Sequence, residues 1–415
     1  MGHFHYQSGE LYVEDVPATR IADQFGTPCY VYSKATIEAN YLRFKAAWRK
    51  RRHRICYAVK ANSNIAVLNL LARLGAGFDI VSGGELQRVL KAGGDPAGVV
   101  FSGVGKQAVE IEQALAADIH CFNIESRAEL ELVNQLAGDA GKTARISFRI
   151  NPDVDPLTHA YIATGLKENK FGVSSEQVIE IYRRAAAMAH VKIAGIDCHI
   201  GSQITELSPF LNAMDETLKL ADQLGKEGIE LDHINMGGGL GVRYRQESPP
   251  DIEEYAAGLL QLLGSRELEL VFEPGRYIAA DAGILLAKVR YLKNNHDKHF
   301  AVVDAAMNDL IRPSLYQAWQ QITPVRPGNA PARTYDIVGP ICESGDFLAK
   351  DRTLKLEEND LVAVESVGAY GFVMSSNYNS RNRAAEVMVD GDQPHLIRKR
   401  ESIEDQLALE YLLPS

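Results

Sequence analysis

Four short strings in this 415-residue chain each place a reactive or anion-binding residue at the end of an apolar run. In Cys56-Tyr57-Ala58-Val59-Lys60-Ala61-Asn62 the run ends on a lysine. Desolvation there would lower the amine's pKa and free it for Schiff-base chemistry, although a lone lysine in such a place is more often a surface residue with a buried stem. In Asp197-Cys198-His199-Ile200-Gly201-Ser202-Gln203 a flat imidazole that could pack on an aromatic ring precedes a hydroxyl suited to phosphate. Taken alone, a histidine satisfied locally in a loop accounts for that string equally well. The third string, Met236-Gly237-Gly238-Gly239-Leu240-Gly241, lets backbone N–H groups close on an anion without side-chain clash, or makes a tight turn. The fourth, Phe272-Glu273-Pro274-Gly275-Arg276, ends on a carboxylate that can hold a pyridinium proton and on an arginine that can hold phosphate or carboxylate. A Glu–Arg ion pair is its plainer reading.

These strings need elements to position them. Eight apolar runs predict strands: Ile55–Val59, Gly77–Val81, Val99–Ser102, His120–Ile124, Arg145–Ile150, Ile193–Ile200, His233–Met236 and Leu268–Phe272. Helical periodicity lies between them at Ile65–Leu74, Ala108–Ala117, Ser126–Leu136, Gln177–Ala189, Pro209–Lys226 and Ile252–Leu263. Strand and helix alternating eightfold over residues 31–280 is the pattern of a (β/α)8 barrel, which usually takes ~250 residues. An open doubly wound sheet is the alternative, but it would gather its site at one crevice. Here the reactive strings end many strands.

After residue 280 strand-like runs follow one another: Ile284–Leu292, Phe300–Asp304, Tyr335–Val338, Leu361–Val364, Ala385–Val389 and His395–Arg398. Turn signals separate them. The expected organisation is an N-terminal segment (1–30), a barrel (31–280) and a C-terminal all-β domain (281–415) that takes in the N-terminal strand, with a last helix over Ser402–Tyr411.

Composition narrows the function. With 54 acidic against 44 basic residues the formal charge is −10, which argues against nucleic acid as a partner. The basic run Lys50-Arg51-Arg52-His53-Arg54 reads as a solvated loop. Five scattered cysteines form no CxxC pair, so neither a disulfide framework nor a metal site is expected. Cys29, Cys56, Cys121 and Cys198 read as small buried hydrophobes, with Cys342 the exception. No apolar stretch reaches the ~18 residues of a membrane helix, and no signal segment opens the chain, so a cytoplasmic protein is expected. Gly103-Val104-Gly105-Lys106 is no phosphate loop of the nucleotide-binding kind, because Gln107 stands where Ser or Thr is needed.

An amine, a stacking imidazole, phosphate donors and a pyridinium partner around one barrel mouth match the needs of a single cofactor, pyridoxal 5'-phosphate. The strings Tyr57–Asn62, His199–Ser202, Gly237–Gly239 and Glu273–Arg276 resemble the signatures of the fold-type III (alanine-racemase-fold) basic amino acid decarboxylases, and the resemblance covers nearly the whole chain. It implies Lys60 as the residue that carries the cofactor, His199 on its ring, Glu273 at its nitrogen, and Ser202, Gly238, Gly239, Gly275, Arg276 and Tyr370 around it. Cys342-Glu343-Ser344-Gly345-Asp346 resembles the motif whose cysteine, in this family, reaches into the neighbouring subunit's site. A homodimer with shared sites is therefore implied, with Lys60 and Cys342 catalytic. An ordinary thiol, pKa ~8.5, is mostly protonated at pH 7 and can return a proton to a carbanion.

The distal end of the substrate decides among decarboxylases. Gly368-Ala369-Tyr370-Gly371 and Arg312-Pro313-Ser314-Leu315-Tyr316 resemble substrate-contacting segments of the family. Arg276 and Arg312 suit a second carboxylate and Glu343 an amine, with Tyr316 and Tyr370 beside them. The stretch His199–Phe210 looks like the members that act on meso-2,6-diaminopimelate, so conversion of that compound to L-lysine and CO2 is expected. Rival readings are decarboxylation of ornithine, arginine or carboxynorspermidine, a racemase, a non-catalytic homologue, and a cofactor-free barrel. A racemase would offer tyrosine where Cys342 stands, and a non-catalytic homologue would typically lose Lys60 or Cys342.

Overall fold

The structure is a computed structural model that describes residues 3–152, 154–155, 170–174 and 176–414. The chain divides into two compact units. One holds Asn40–Arg243 and Glu247–Tyr277, the other Met1–Ala39, Tyr244–Gln246 and Ile278–Ser415.

The first unit is a closed barrel. Its eight strands are His53–Ala58, Gly77–Ile80, Val99–Phe101, Cys121–Ile124, Ala144–Asn151, Val191–Cys198, His233–Asn235 and Glu269–Phe272. Each runs parallel to the next, and the eighth returns to the first through Leu270–His53, Val271–Arg54 and Phe272–Ile55. Such strands are covered on both faces, which is why they read as nearly unbroken apolar runs. Cys56, Val100, Cys121, Ala194 and Val271 form one packed layer. Trp48 stacks on Phe272 at 4.0 Å and meets Tyr255 edge-on, sealing apolar side chains over the last strand.

Helix starts follow their caps. Ser82, Ser126 and Asp251 each accept a first-turn N–H, opening Gly83–Lys91, Arg127–Asp139 and Ile252–Leu263. The basic run is not wholly a loop, because His53 and Arg54 begin the first strand. Arg52 and Arg54 pair with Glu269 at 3.5 and 3.7 Å.

The second unit is built on a sheet in the order Phe347–Leu354, Arg333–Val338, Lys298–Val303, Gly283–Asn295, Cys29–Ser33, Ala385–Asp390, Gln393–Arg398, with Leu361–Val364 paired to Gly283–Asn295 and Ile322–Pro324 paired in turn to Leu361–Val364. The first residues lie in this unit and share its core, but outside the large sheet. Phe4–Gln7, Glu10–Val13 and Val16–Pro17 make a small sheet of their own, and Cys29–Ser33 enters the large sheet instead. Val13, Val31, Ile284, Leu286 and Val387 share the core between them. The last helix is shorter than the periodicity predicts, Ile403–Leu407, with a capping box between Ser402 and Asp405.

Candidate active site

The ends of barrel strands one, six, seven and eight are tied together by backbone bonds. Ala58 N donates to Pro274 O at 3.1 Å, Glu273 N to Gly237 O at 2.7 Å and Ile204 N to Gly239 O at 2.9 Å. The four strings therefore meet at one rim, the C-terminal rim where barrel enzymes carry their sites.

Lys60 lies on the turn Val59–Ala61 that ends the first strand, and its Nζ donates to Asp79 Oδ2 at 2.9 Å. Asp79 is fully buried on the second strand, and among the described residues its Oδ1 has no hydrogen-bond partner. Gly275 packs on the lysine turn so closely that a Cβ would stand 2.9 Å from that of Ala61.

Glu273 is buried, 5 % exposed, at the end of the eighth strand. Its Oε1 accepts from Asn235 Nδ2 at 2.6 Å and Asn123 Nδ2 at 3.1 Å. Burial holds its carboxyl well above the ordinary range, with the Asp79 and Asp197 carboxylates adding to the push. Asp197, buried on the sixth strand, is itself pushed up to about 7 by burial against the opposing pull of Arg149.

His199 accepts from Gly238 N at Nδ1, 3.1 Å, so its proton sits on Nε2. Burial first, then Arg149 and Lys60, keeps the ring neutral, well below its usual pKa. Gly237, at φ +63°, holds backbone where a Cβ would come 2.5 Å from His199 Nδ1, and a Cβ on Gly238 would come 2.3 Å from Glu273 O. Arg276 is buried and donates to Ser202 Oγ from Nη2 at 3.0 Å.

The sequence reading missed the residues inside the strands. Asp79, Asn123, Arg149, Asp197 and Asn235 are buried polar side chains in otherwise apolar strands. Arg149 bonds Glu125 Oε1 at 3.3 Å and His199 O at 3.2 Å. Their signal was present as one polar residue interrupting each run, as in Phe78-Asp79-Ile80 and Ile196-Asp197-Cys198.

The remaining predicted residues lie in the sheet unit. Cys342 and Glu343 are exposed, while Cys29, Cys56, Cys121 and Cys198 are buried. Asp346 fastens the Cys342 loop, accepting from Met307 N and Ile341 N at 2.7 Å each. Ser314 Oγ donates to Gly345 O at 2.5 Å, tying the helix Arg312–Tyr316 to that loop. Arg312 is buried, 6 % exposed, with its guanidinium 4.8 Å from the Tyr244 ring centroid. Tyr316 and Tyr370 are half-buried, and Tyr370 holds φ +57°, a strained conformation for a tyrosine.

The barrel site fits pyridoxal phosphate. Asp79 Oδ1, Asp197 Oδ1 and Asn123 Oδ1 are buried without a partner among the described residues, so the site holds polar capacity that the protein itself does not use. The glycine loop packs its backbone against His199, Glu273 and Gly201 more closely than any side chain would allow.

A pyridoxal-dependent decarboxylase family, in its pyridoxal binding domain, matches residues 34–280. The chain belongs to this family of pyridoxal-dependent decarboxylases. Its relatives carry a more specific name. Diaminopimelate decarboxylases of Pseudomonas aeruginosa and Vibrio cholerae are each 58% identical, over 100% of both chains. Among solved structures, a diaminopimelate decarboxylase from M. jannaschi superposes with TM-score 0.96 at 37% identity, covering 100% of this chain and 98% of that one. One from Helicobacter pylori, complexed with L-lysine, has TM-score 0.92 at 44% identity, covering 94% and 98%.

Proposed function

We propose that the chain converts meso-2,6-diaminopimelate to L-lysine and CO2, as a homodimer with shared sites in the cytoplasm. The similarity to diaminopimelate decarboxylases across the full length of both chains carries the reading. Pyridoxal phosphate, when bound, supplies an aldehyde for amines and an electron-withdrawing pyridinium ring.

The chain's own residues do the rest. Lys60 would hold the cofactor through Nζ and release it to a substrate amine, with Asp79 as the lysine's counter-charge. Glu273 keeps a proton at the ring nitrogen: buried and favouring its protonated form, it can pass that proton on and remain as a carboxylate held by Asn123 and Asn235. His199, kept neutral by burial, would pack against the ring. Ser202, Gly238, Gly239, Gly275, Arg276 and Tyr370 bind cofactor, chiefly its phosphate. Arg276, Arg312 and Tyr316 take the distal carboxylate, and Glu343 the distal amine. After CO2 leaves, Cys342 of the partner copy returns a proton to Cα. Five free thiols suit a reducing compartment, and exposure of Cys342 and Glu343 suits a role towards a second copy.

CO2 release by the cofactor-loaded protein tests the substrate, with meso-diaminopimelate beside ornithine, arginine and lysine. Release from diaminopimelate alone is expected. Release from another substrate would keep the chemistry and overturn the roles of Arg312 and Glu343. No release from any would overturn the reading.

A further inference from the structure

Two adjacent residues that the reaction scheme leaves unused face the two adjacent residues it relies on. Asn379 Nδ2 stands 3.2 Å from Cys342 Sγ, with Oδ1 at 3.6 Å, and Tyr378 OH donates to Glu343 Oε1. The segment Tyr378–Ser380 is kinked at Asn379, and two of its residues have left-handed backbone, Asn379 at φ 55° and Ser380 at φ 53°. Left-handed conformations at non-glycine residues persist only where surroundings impose them, and they gather at functional sites.

The surroundings do impose it. Gln406, on the C-terminal helix, donates to Ser380 O at 3.3 Å and Asn382 Oδ1 at 2.5 Å. Asn377 Nδ2 donates to Arg381 O at 3.1 Å. On the other side, Asp346 fixes the loop that carries Cys342 and Glu343. Both halves of the contact are thus braced from outside it.

We propose that Asn379 and Tyr378 are positioning residues, Asn379 orienting the Cys342 thiol and Tyr378 orienting the Glu343 carboxylate. The shorter of the two amide contacts is the donor to sulfur. The same amide meets the thiol in both senses, Nδ2 donating to Sγ at 3.2 Å and the S–H donating to Oδ1 at 3.6 Å, so it fixes where the sulfur and its proton point. The phenol occupies one carboxylate oxygen of Glu343 and leaves the other for the distal amine. The inference rests on the proposed roles of Cys342 and Glu343.

Asn379→Gly separates positioning from mere structure. Glycine adopts φ 55° without strain, so the fold is kept or improved while the amide is lost. In the cofactor-loaded enzyme we expect kcat to fall about tenfold or more with KM within about twofold, the signature of an interaction used after substrate binding. Iodoacetamide reports the thiol directly, since Cys342 is the exposed cysteine. Its alkylation rate at a single fixed pH should change about threefold or more in Asn379→Gly, because the amide that orients the sulfur is gone. Tyr378→Phe should raise KM about fivefold with kcat nearly kept. Native kinetics and a native alkylation rate in Asn379→Gly would overturn the inference, provided that Cys342→Ala loses turnover. If Cys342→Ala itself keeps native turnover, the assignment of Cys342 as proton donor is the part that fails.

Discussion

Glu273 shows how much of this site depends on burial at single residues. Its carboxyl is shut from water and faces the carboxylates of Asp79 and Asp197, so it favours the protonated form. A basic ring nitrogen placed there would take the proton and leave an ion pair in a low-dielectric setting, where such pairs are strong if fully hydrogen-bonded. Glu273→Gln keeps the shape and the contacts with Asn123 and Asn235 but cannot surrender a proton. It is expected to retain the cofactor's absorbance while kcat falls about 10²–10⁴-fold; near-native kcat would contradict the role. Sequence reasoning could find Glu273, because a carboxylate at a strand end stands out. It could not find Asp79, Asn123 or Asp197, because one polar residue within an apolar run is indistinguishable from variation until the barrel closes and points all of them inward.

At the level of elements, the loops after strands six, seven and eight act as one unit, since Gly238 N bonds His199 while Glu273 N bonds Gly237 O. Gly238→Ala would push a Cβ to 2.3 Å from Glu273 O, a backbone atom that cannot rotate away. Strain of this kind costs about 1–3 kcal/mol. Titration should show cofactor affinity weakened about tenfold, equal to ~1.4 kcal/mol, and unchanged affinity would mean that the loop has slack. The barrel strands were legible because parallel strands, covered on both faces, are written as continuous apolar runs. The helix Gly83–Lys91 was not, because it opens on Gly83-Gly84, which reads as a turn. The strand Phe347–Leu354 was missed because its burial is irregular along its length, leaving no alternation to read. The N-terminal strand pairs locally, Phe4–Gln7 against Glu10–Val13.

In the barrel, one buried histidine pair makes a contribution to stability that acid removes. His120 and His233 face each other near the starts of the fourth and seventh strands, ring centroids 5.8 Å apart. Burial lowers them to about 4 and about 3, with Arg54, Arg145 and the His120–His233 pairing also opposing charge and Asp232 favouring it. Their unfolded value is near 6.5, so below it the unfolded chain takes up protons that the fold refuses. Stability from this pair is fully present above about pH 6.5 and is lost as pH falls towards 4 and 3, at ~1.4 kcal/mol per unit per histidine. Urea midpoints measured from pH 7 to 4.5 should fall less steeply in His233→Phe than in the native protein, and equal slopes would rule the pair out.

The central claim is that the Lys60 set and the Cys342 set serve one reaction across two copies of the chain. Mixing inactive Lys60→Ala with inactive Cys342→Ala, then unfolding and refolding together, measures it most directly. Random pairing makes half of the dimers hybrid, each with one native site of two, so about a quarter of native CO2 release should return. A mixture that stays inactive although differently tagged copies co-purify, or a Cys342→Ala protein that is fully active alone, would contradict the claim.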